Sequence, residues 1–289
     1  MRSETEIKNL ILDLASKDER IRIVLLNGSR ANPKIKSDNF QDYDIVFIVN
    51  DFESFISDHK WTNVFGEKMI WQLPEEMTFG KDTEADQNIG FSYLMIFTDG
   101  NRIDLTIFPI EHLKTHFKID SLTIVWLDKD KIFQKIKKSN DKDYHIRKPT
   151  EKEFIDTCNE FWWVSTYVAK GLLRNEITYA KEMLEKAVRP MFMELIEWKI
   201  GIENKFSVSF GKSGKLITNY VTEDFYNKVL KTYSDADLEN NWNSLFIMIE
   251  LFEDLENYVS KKLNFNCNKE ESQNVIKYLK ENYGSQKKI

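Results

Sequence analysis

Apolar positions along the first half of the chain alternate between two periodicities. Residues 5–16 place Ile7, Leu10, Ile11 and Leu14 at helical spacing. The run at 21–29, IRIVLLNGS, is short, apolar and ends in Gly-Ser, which suits a buried strand entering a turn. A polar stretch follows, and YDIVFIVN at 43–50 predicts a second strand, then a short helix over 51–60. Further strands are expected at 69–74 and 91–98. The turn signal Asp99-Gly100-Asn101 leads into RIDLTIF at 102–108, which alternates like the return strand of a hairpin.

Beyond a polar, proline-containing stretch at 137–150 the pattern becomes helical. Phe154, Cys158, Phe161, Ser165, Val168 and Leu172 recur every three or four residues on one face. A second helix is expected over about 178–200, kinked or split by Pro190. Leu238 to Phe265 carries Trp242, Phe246, Ile249 and Phe252 at helical spacing, and a last amphipathic piece covers 270–282. The pattern predicts an α+β fold: a mixed sheet with flanking helices over 1–145, followed by a helical bundle over 146–289.

Composition narrows the function. Of 289 residues, 42% are hydrophobic and 30% charged, so a core can form and wholesale disorder is excluded. No stretch approaches the roughly 18 apolar residues of a membrane span, and the N-terminus has no signal-peptide pattern. Two cysteines, Cys158 and Cys267, make no disulfide framework, and a cytoplasmic protein is expected. The net charge of −6 is divided evenly between the halves. A protein gripping nucleic acid over a wide surface would show a basic half, so no nucleic-acid partner is expected.

The segment 28–45, GSRANPKIKSDNFQDYDI, carries the chemistry. Gly28-Ser29 follows a strand, where small residues let backbone approach a phosphate. Asp42 and Asp44 head the next strand, and alternation puts them on one face, about 6.7 Å apart. Two such carboxylates can hold Mg²⁺ together with substrate phosphates. Asp104 shares a face of the hairpin strand with Thr106, and an acid amid such an apolar strand needs a partner or a metal. A lone D-x-D is common, and a Gly-Ser after a strand is usually only a turn. The joint order of strand, Gly-Ser, D-x-D on a second strand and a later strand acid resembles the nucleotidyltransferase fold of the polymerase-β type.

NGSRANP, FQDYDIVF, WQLPEEMT, DGNRIDLT, KPTEKEF and CNEFWWVSTYVAKGL extend that resemblance to the aminoglycoside 6-adenylyltransferases, which modify streptomycin. The resemblance implies a catalytic domain at 1–145 and a helical domain at 146–289 that covers substrate and nucleotide. It implies AMP transfer from ATP to the 6-hydroxyl of streptomycin, with release of pyrophosphate and resistance to the drug. Mg²⁺ is the implied cofactor, ATP the co-substrate and a cationic aminoglycoside the partner; a monomer is expected. Asp42, Asp44 and Asp104 take the family's catalytic and metal-binding positions, with Asp104 as general base or second metal ligand. Gly28 and Ser29 take its Gly-Ser positions, and Arg30 and Lys181 are candidate cations for the nucleotide. The same fold with an RNA or protein acceptor, or a non-catalytic nucleotide-binding module, are the alternatives.

Weaker signals surround these. Between Glu75 and Asp86 five acids face one lysine, either a solvated loop or a mouth that attracts a guanidinium-bearing drug. Glu160, Glu176, Glu182 and Glu185 are candidate drug contacts on helices, and Lys170 and Arg174 candidate nucleotide contacts. GKSGK at 211–215 lacks phosphate-loop spacing and reads as a flexible turn. Phe161, Trp162 and Trp163 read as core, with an adenine-stacking role as the alternative. His112 and His116 lack the acid of a zinc protease, and Cys158 reads as a buried small hydrophobe.

Overall fold

The computed structural model describes residues 1–78 and 89–286. The chain divides into two compact units, Met1–Asp143 and Tyr144–Ile289. Among the described residues no helix is long and apolar enough to cross a membrane.

The first unit opens with α1 (Glu4–Lys17), begun by a capping box in which Ser3 Oγ accepts from Glu6 N–H while the Glu6 carboxylate accepts from Ser3 N–H. Strands β1 (Ile21–Asn27), β2 (Tyr43–Val49), β3 (Lys68–Gln72), β4 (Phe91–Phe97), β5 (Arg102–Pro109) and β6 (Ile124–Asp128) follow, with a four-residue helix, α2 (Glu53–Ile56), between β2 and β3. They form one mixed sheet in the order β3-β4-β5-β2-β1-β6, in which only β2 and β5 run parallel.

Alternation sorts this sheet into two unlike faces. One face sets Tyr43, Ile45, Phe47, Tyr93, Leu105 and their neighbours against Ile7, Ile11 and Ala15 of α1, in a continuous core. The other face has a smaller cluster of Ile23, Leu25, Val46, Ile48, Phe108 and Leu113, and the strand ends beyond it carry polar side chains. Every strand expected from the sequence is present within a residue or two. The sequence pattern does not predict β6, because IVWLD is five residues long, does not alternate and lies at the sheet edge with exposed or half-buried side chains.

The second unit contains α3 (Glu151–Leu173), α4 (Ile177–Met183), α5 (Arg189–Glu203), α6 (Glu223–Leu230), α7 (Leu238–Leu263) and α8 (Lys269–Gln286). Its core joins faces of α3, α5 and α7: Phe161 stacks on Phe252 with ring centroids 3.5 Å apart, and Trp162 meets Phe252 edge-on. The kink expected at Pro190 takes the form of a π-helical turn over Leu184–Val188 between α4 and α5. Proline has no N–H to donate and crowds the preceding turn, and a widened turn just before it accommodates both. Gly171 lets α3 and α4 close up, since a Cβ there would lie 2.9 Å from Ala180 Cβ.

One acid is buried in this core. Glu256 of α7 is 3% exposed, and its carboxylate accepts from Trp162 Nε1 at 3.3 Å. Burial pushes its pKa up, against hydrogen bonds from Cys158, Trp162 and Cys267 that favour ionisation. A carboxyl group with a raised folded pKa stabilises the fold below its unfolded pKa, and that contribution is lost as pH rises through the folded value. The Glu256→Gln variant is therefore expected to gain stability relative to the parent chain as pH is raised from about 5 to about 8. Parallel thermal-unfolding midpoints across that range would contradict this reading.

Candidate active site

The last residue of β1, Asn27, leads into a tight turn over Gly28–Ala31. Gly28 has φ +72°, in the left-handed region. A Cβ placed on it would lie 2.0 Å from Asp44 Oδ2, so the position has no room for a side chain. The sequence marked Gly28 for its approach to phosphate; the structure shows in addition that a carboxylate packs against it. The Ser29 carbonyl accepts from Asn32 N–H at 3.2 Å and helps close the turn, and its side chain is half-buried.

The acids stand on the polar side of the sheet because of what lies between them. Tyr43 is 1% exposed and packs into the core with α1, so alternation directs Asp42 and Asp44 to the opposite face. Asp42 immediately precedes β2, and Asp44 is its second residue. Parallel pairing of β2 with β5 then sets Asp44 directly beside Asp104, and antiparallel pairing with β1 sets it beside Asn27. The structure thus brings Gly28, Asp42, Asp44 and Asp104 together.

A cation that sequence reasoning missed sits among them. Arg102 lies two residues before Asp104 on β5, hence on the same face, and grips it with a two-pronged fork: Nε to Oδ1 at 2.8 Å and Nη2 to Oδ2 at 2.7 Å. Its Nε is also 3.6 Å from Asp42 Oδ2. The hydrogen bonds with Asp104 raise the Arg102 pKa against partial burial, and the charges of Asp104, Asp42 and Asp44 add to the effect. One guanidinium thus faces three carboxylates. The signal for it was in the sequence, as a cation at i−2 from a strand acid. Among the described residues no three His, Cys, Asp or Glu side chains form a ready-made metal cluster.

The cations marked from sequence have other partners. The Arg30 side chain is only 7% exposed; its guanidinium carbon lies 3.9 Å from the Tyr43 ring centroid, and Nη2 donates to the Gln41 carbonyl at 2.8 Å. Arg30 thereby contacts the residues on both sides of Asp42, the carbonyl of Gln41 and the ring of Tyr43. Lys181 belongs to α4 in the second unit, where its ammonium donates to the Ser234 carbonyl at 2.7 Å and hydroxyl at 2.9 Å. Glu182 and Glu185 are paired with Lys186 and Arg189, while Glu160 and Glu176 are exposed. Lys170 lies over the Tyr167 ring, and Arg174 caps α3.

Of the acidic run, Glu75 accepts from Ser92 N–H at 3.0 Å and Glu76 meets His59 at 3.0 Å; residues 79–86 of it lie outside the described residues. The GKSGK turn is a packing element, since a Cβ on Gly214 would lie 2.8 Å from Met193 Cε. Phe161 and Trp162 are core, whereas Trp163 is exposed and donates to Tyr167 Oη at 2.8 Å. His112 and His116 pair edge to face at the exposed turn after β5, and Cys158 is buried.

A mixed sheet that brings a Gly-Ser turn and three aspartates to one face has the layout of a nucleotidyltransferase of the polymerase-β type. The family model described as streptomycin adenylyltransferase matches residues 1–282. The chain is 42% identical to an aminoglycoside 6-adenylyltransferase of Campylobacter jejuni, over 92% of this chain and 91% of that one. It is 42% identical to one of Bacillus subtilis, over 91% and 92%, and 38% identical to one of Staphylococcus aureus, over 98% and 99%. The chain belongs to the streptomycin adenylyltransferase family, whose members are nucleotidyltransferase enzymes.

The packing of Gly28 on Asp44 gives a direct test. Gly28→Ala is expected to lower stability by at least about 1 kcal/mol, because the left-handed backbone penalises a side chain and the carboxylate must also move. An unchanged unfolding midpoint would show that the turn and Asp44 are not in contact.

Proposed function

We propose that this chain transfers AMP from ATP to the 6-hydroxyl of streptomycin, releasing pyrophosphate. The observation that carries the reading is the convergence of Asp42, Asp44 and Asp104 on one face around Arg102, next to the Gly28–Ala31 turn. Membership of the streptomycin adenylyltransferase family supports the reaction, and the names of the relatives support an aminoglycoside acceptor.

The residues present fit Mg²⁺. Carboxylate oxygens are the hard ligands it prefers, and it commonly uses one or two carboxylates with substrate phosphates, so Asp42 and Asp44 suffice without a complete protein cage. The place of Arg102 among the acids supports a site that favours positive charge. Bound there, Mg²⁺ would offset the charge of the triphosphate and of the reacting oxygens.

The chain's own residues do the rest. Gly28 and Ser29 offer backbone N–H groups and a hydroxyl to the phosphates. The drug hydroxyl attacks the α-phosphorus in line with the departing pyrophosphate, and Asp104 takes its proton. For Asp104 to do so Arg102 must release it, and the incoming triphosphate is a stronger anionic partner for a guanidinium than one carboxylate. The acidic residues Glu75 and Glu76 favour a cationic acceptor.

Asp42→Asn is expected to reduce streptomycin adenylylation at least about a hundredfold while thermal unfolding and secondary structure stay as in the parent chain. Mass spectrometry of the drug after incubation with ATP and Mg²⁺ reads the product. Turnover retained within a few-fold would remove Asp42 from the reaction.

A further inference from the structure

Several arginine–carboxylate forks in this molecule are anchored twice. Arg2 holds Asp99 and also donates to the Phe65 carbonyl, and Arg20 holds Asp18 and also donates to the Ser54 hydroxyl. Arg189 holds Glu185 and also donates to the hydroxyl and the carbonyl of Thr232. In each case a neutral partner fixes the guanidinium independently of the acid. Arg102 is held differently. Among the described residues it donates only to Asp104, one nitrogen to each carboxylate oxygen. Its register partner on β4 is Ile96, whose side chain offers no hydrogen bond. The Arg102 side chain is 39% exposed, so water reaches it.

Its place sets it against a metal ion. The fork covers both oxygens of Asp104, and Nε stands 3.6 Å from Asp42 Oδ2. Asp44 is the register partner of Asp104. These are the carboxylates that fit Mg²⁺, and a dication brought among them meets a guanidinium of like sign at close range. Repulsion between partly buried charges is poorly screened. Arg102 as placed and a divalent cation therefore compete for one set of oxygens. One guanidinium against three acids leaves surplus negative charge, so the cluster still attracts a cation once Arg102 has another anion to hold.

We propose that Arg102 is an exchangeable counter-ion, which keeps free divalent cation off the carboxylates and releases them when a polyphosphate draws the guanidinium away. The inference rests on the adenylyl-transfer reading for the identity of that anion, a nucleoside triphosphate, and adds to it an order of events. Metal settles on Asp42 and Asp44 together with the nucleotide, not ahead of it. Phosphate oxygens match the guanidinium fork as a carboxylate does and carry more charge. The exchange moves Arg102 from Asp104 to the phosphates and leaves Asp104 with a lone pair for the acceptor's proton. Coupling of this kind is reciprocal, so metal and triphosphate each tighten the binding of the other. Occupancy of the site and readiness of Asp104 are thereby linked.

The test compares the full chain with Arg102→Met, which keeps the length of the side chain without its charge, in the absence of nucleotide. Mn²⁺ serves as the probe because it shares the preference of Mg²⁺ for oxygen ligands, and electron paramagnetic resonance counts its free form. Arg102→Met is expected to bind Mn²⁺ at least about tenfold more tightly than the parent, and Arg102→Met/Asp42→Asn to lose that gain. Thermal unfolding gives a second readout. In a chelator Arg102→Met is expected to unfold below the parent, because three acids have lost their cation. Added Mg²⁺ is expected to restore its midpoint and to leave the parent's unchanged, whereas loss of a merely structural arginine would be felt equally with and without metal. If Arg102→Met does not fold, Arg102→Lys makes the same comparison, since an ammonium cannot fork two oxygens, with a gain in Mn²⁺ affinity of about threefold. Equal Mn²⁺ affinity in parent and variants would overturn the inference, and so would a midpoint that Mg²⁺ does not restore. Transfer to the drug is read separately in the parent chain. Adenylylated streptomycin alongside unchanged Mn²⁺ affinity in the variants sinks the counter-ion alone, and no transfer alongside a gain in Mn²⁺ affinity sinks the reaction alone.

Discussion

Two carboxylates side by side on neighbouring parallel strands repel each other, and the polar face of the first unit is organised around that repulsion. Asp44 and Asp104 are direct register partners, and Asp42 lies on the same face. Like charges in such positions are unfavourable unless something compensates them. The Arg102 fork supplies a cation within hydrogen-bonding distance, the absence of a side chain at Gly28 supplies room, and strand ends supply access to water. A fold that placed three acids together only for stability would gain nothing by it. In the proposed reaction this face would receive the cations that accompany a polyphosphate.

The opposite face explains why the acids stay where they are. Tyr43, Ile45 and Phe47 are locked into the core against α1, so a one-residue slip of β2 would drive both aspartates into that core and Tyr43 into water. Arg30 adds a second restraint, stacking on Tyr43 from the turn and holding the Gln41 carbonyl one residue before Asp42. The site is thus positioned by buried apolar side chains and one buried cation, none of which touches substrate in the proposed chemistry. In the second unit the stacked Phe161 and Phe252 play the corresponding part, holding α3 against α7.

The sequence was most legible where pattern and chemistry coincide. The strands around the aspartates announce themselves because each alternates strictly or is continuously apolar, and the long helices α3 and α7 repeat their apolar positions over many turns. The elements that escaped are the short ones: β6 and α6 have five and eight residues, too few for a period to rise above chance. The π-helical turn before Pro190 is invisible to any periodicity, although its cause, the proline, was plain. Among candidate site residues the three aspartates were readable because an acid in an apolar strand demands an explanation. Arg102 was not, because a strand arginine ordinarily needs none. Arg30 is a different case: its proximity to Gly28-Ser29 in sequence suggests a phosphate contact, and its packing onto a tyrosine thirteen residues later is something only the tertiary structure reveals.

The reaction we propose moves the adenylyl group, not a terminal phosphate, to streptomycin. Parallel reactions of the purified chain with streptomycin, Mg²⁺ and ATP labelled on either the α- or the γ-phosphate test it most directly. Adenylyl transfer puts label on the drug only from α-labelled ATP, with the γ label recovered in pyrophosphate. Label on the drug from γ-labelled ATP, or no label on the drug from either while ATP is consumed, would contradict it.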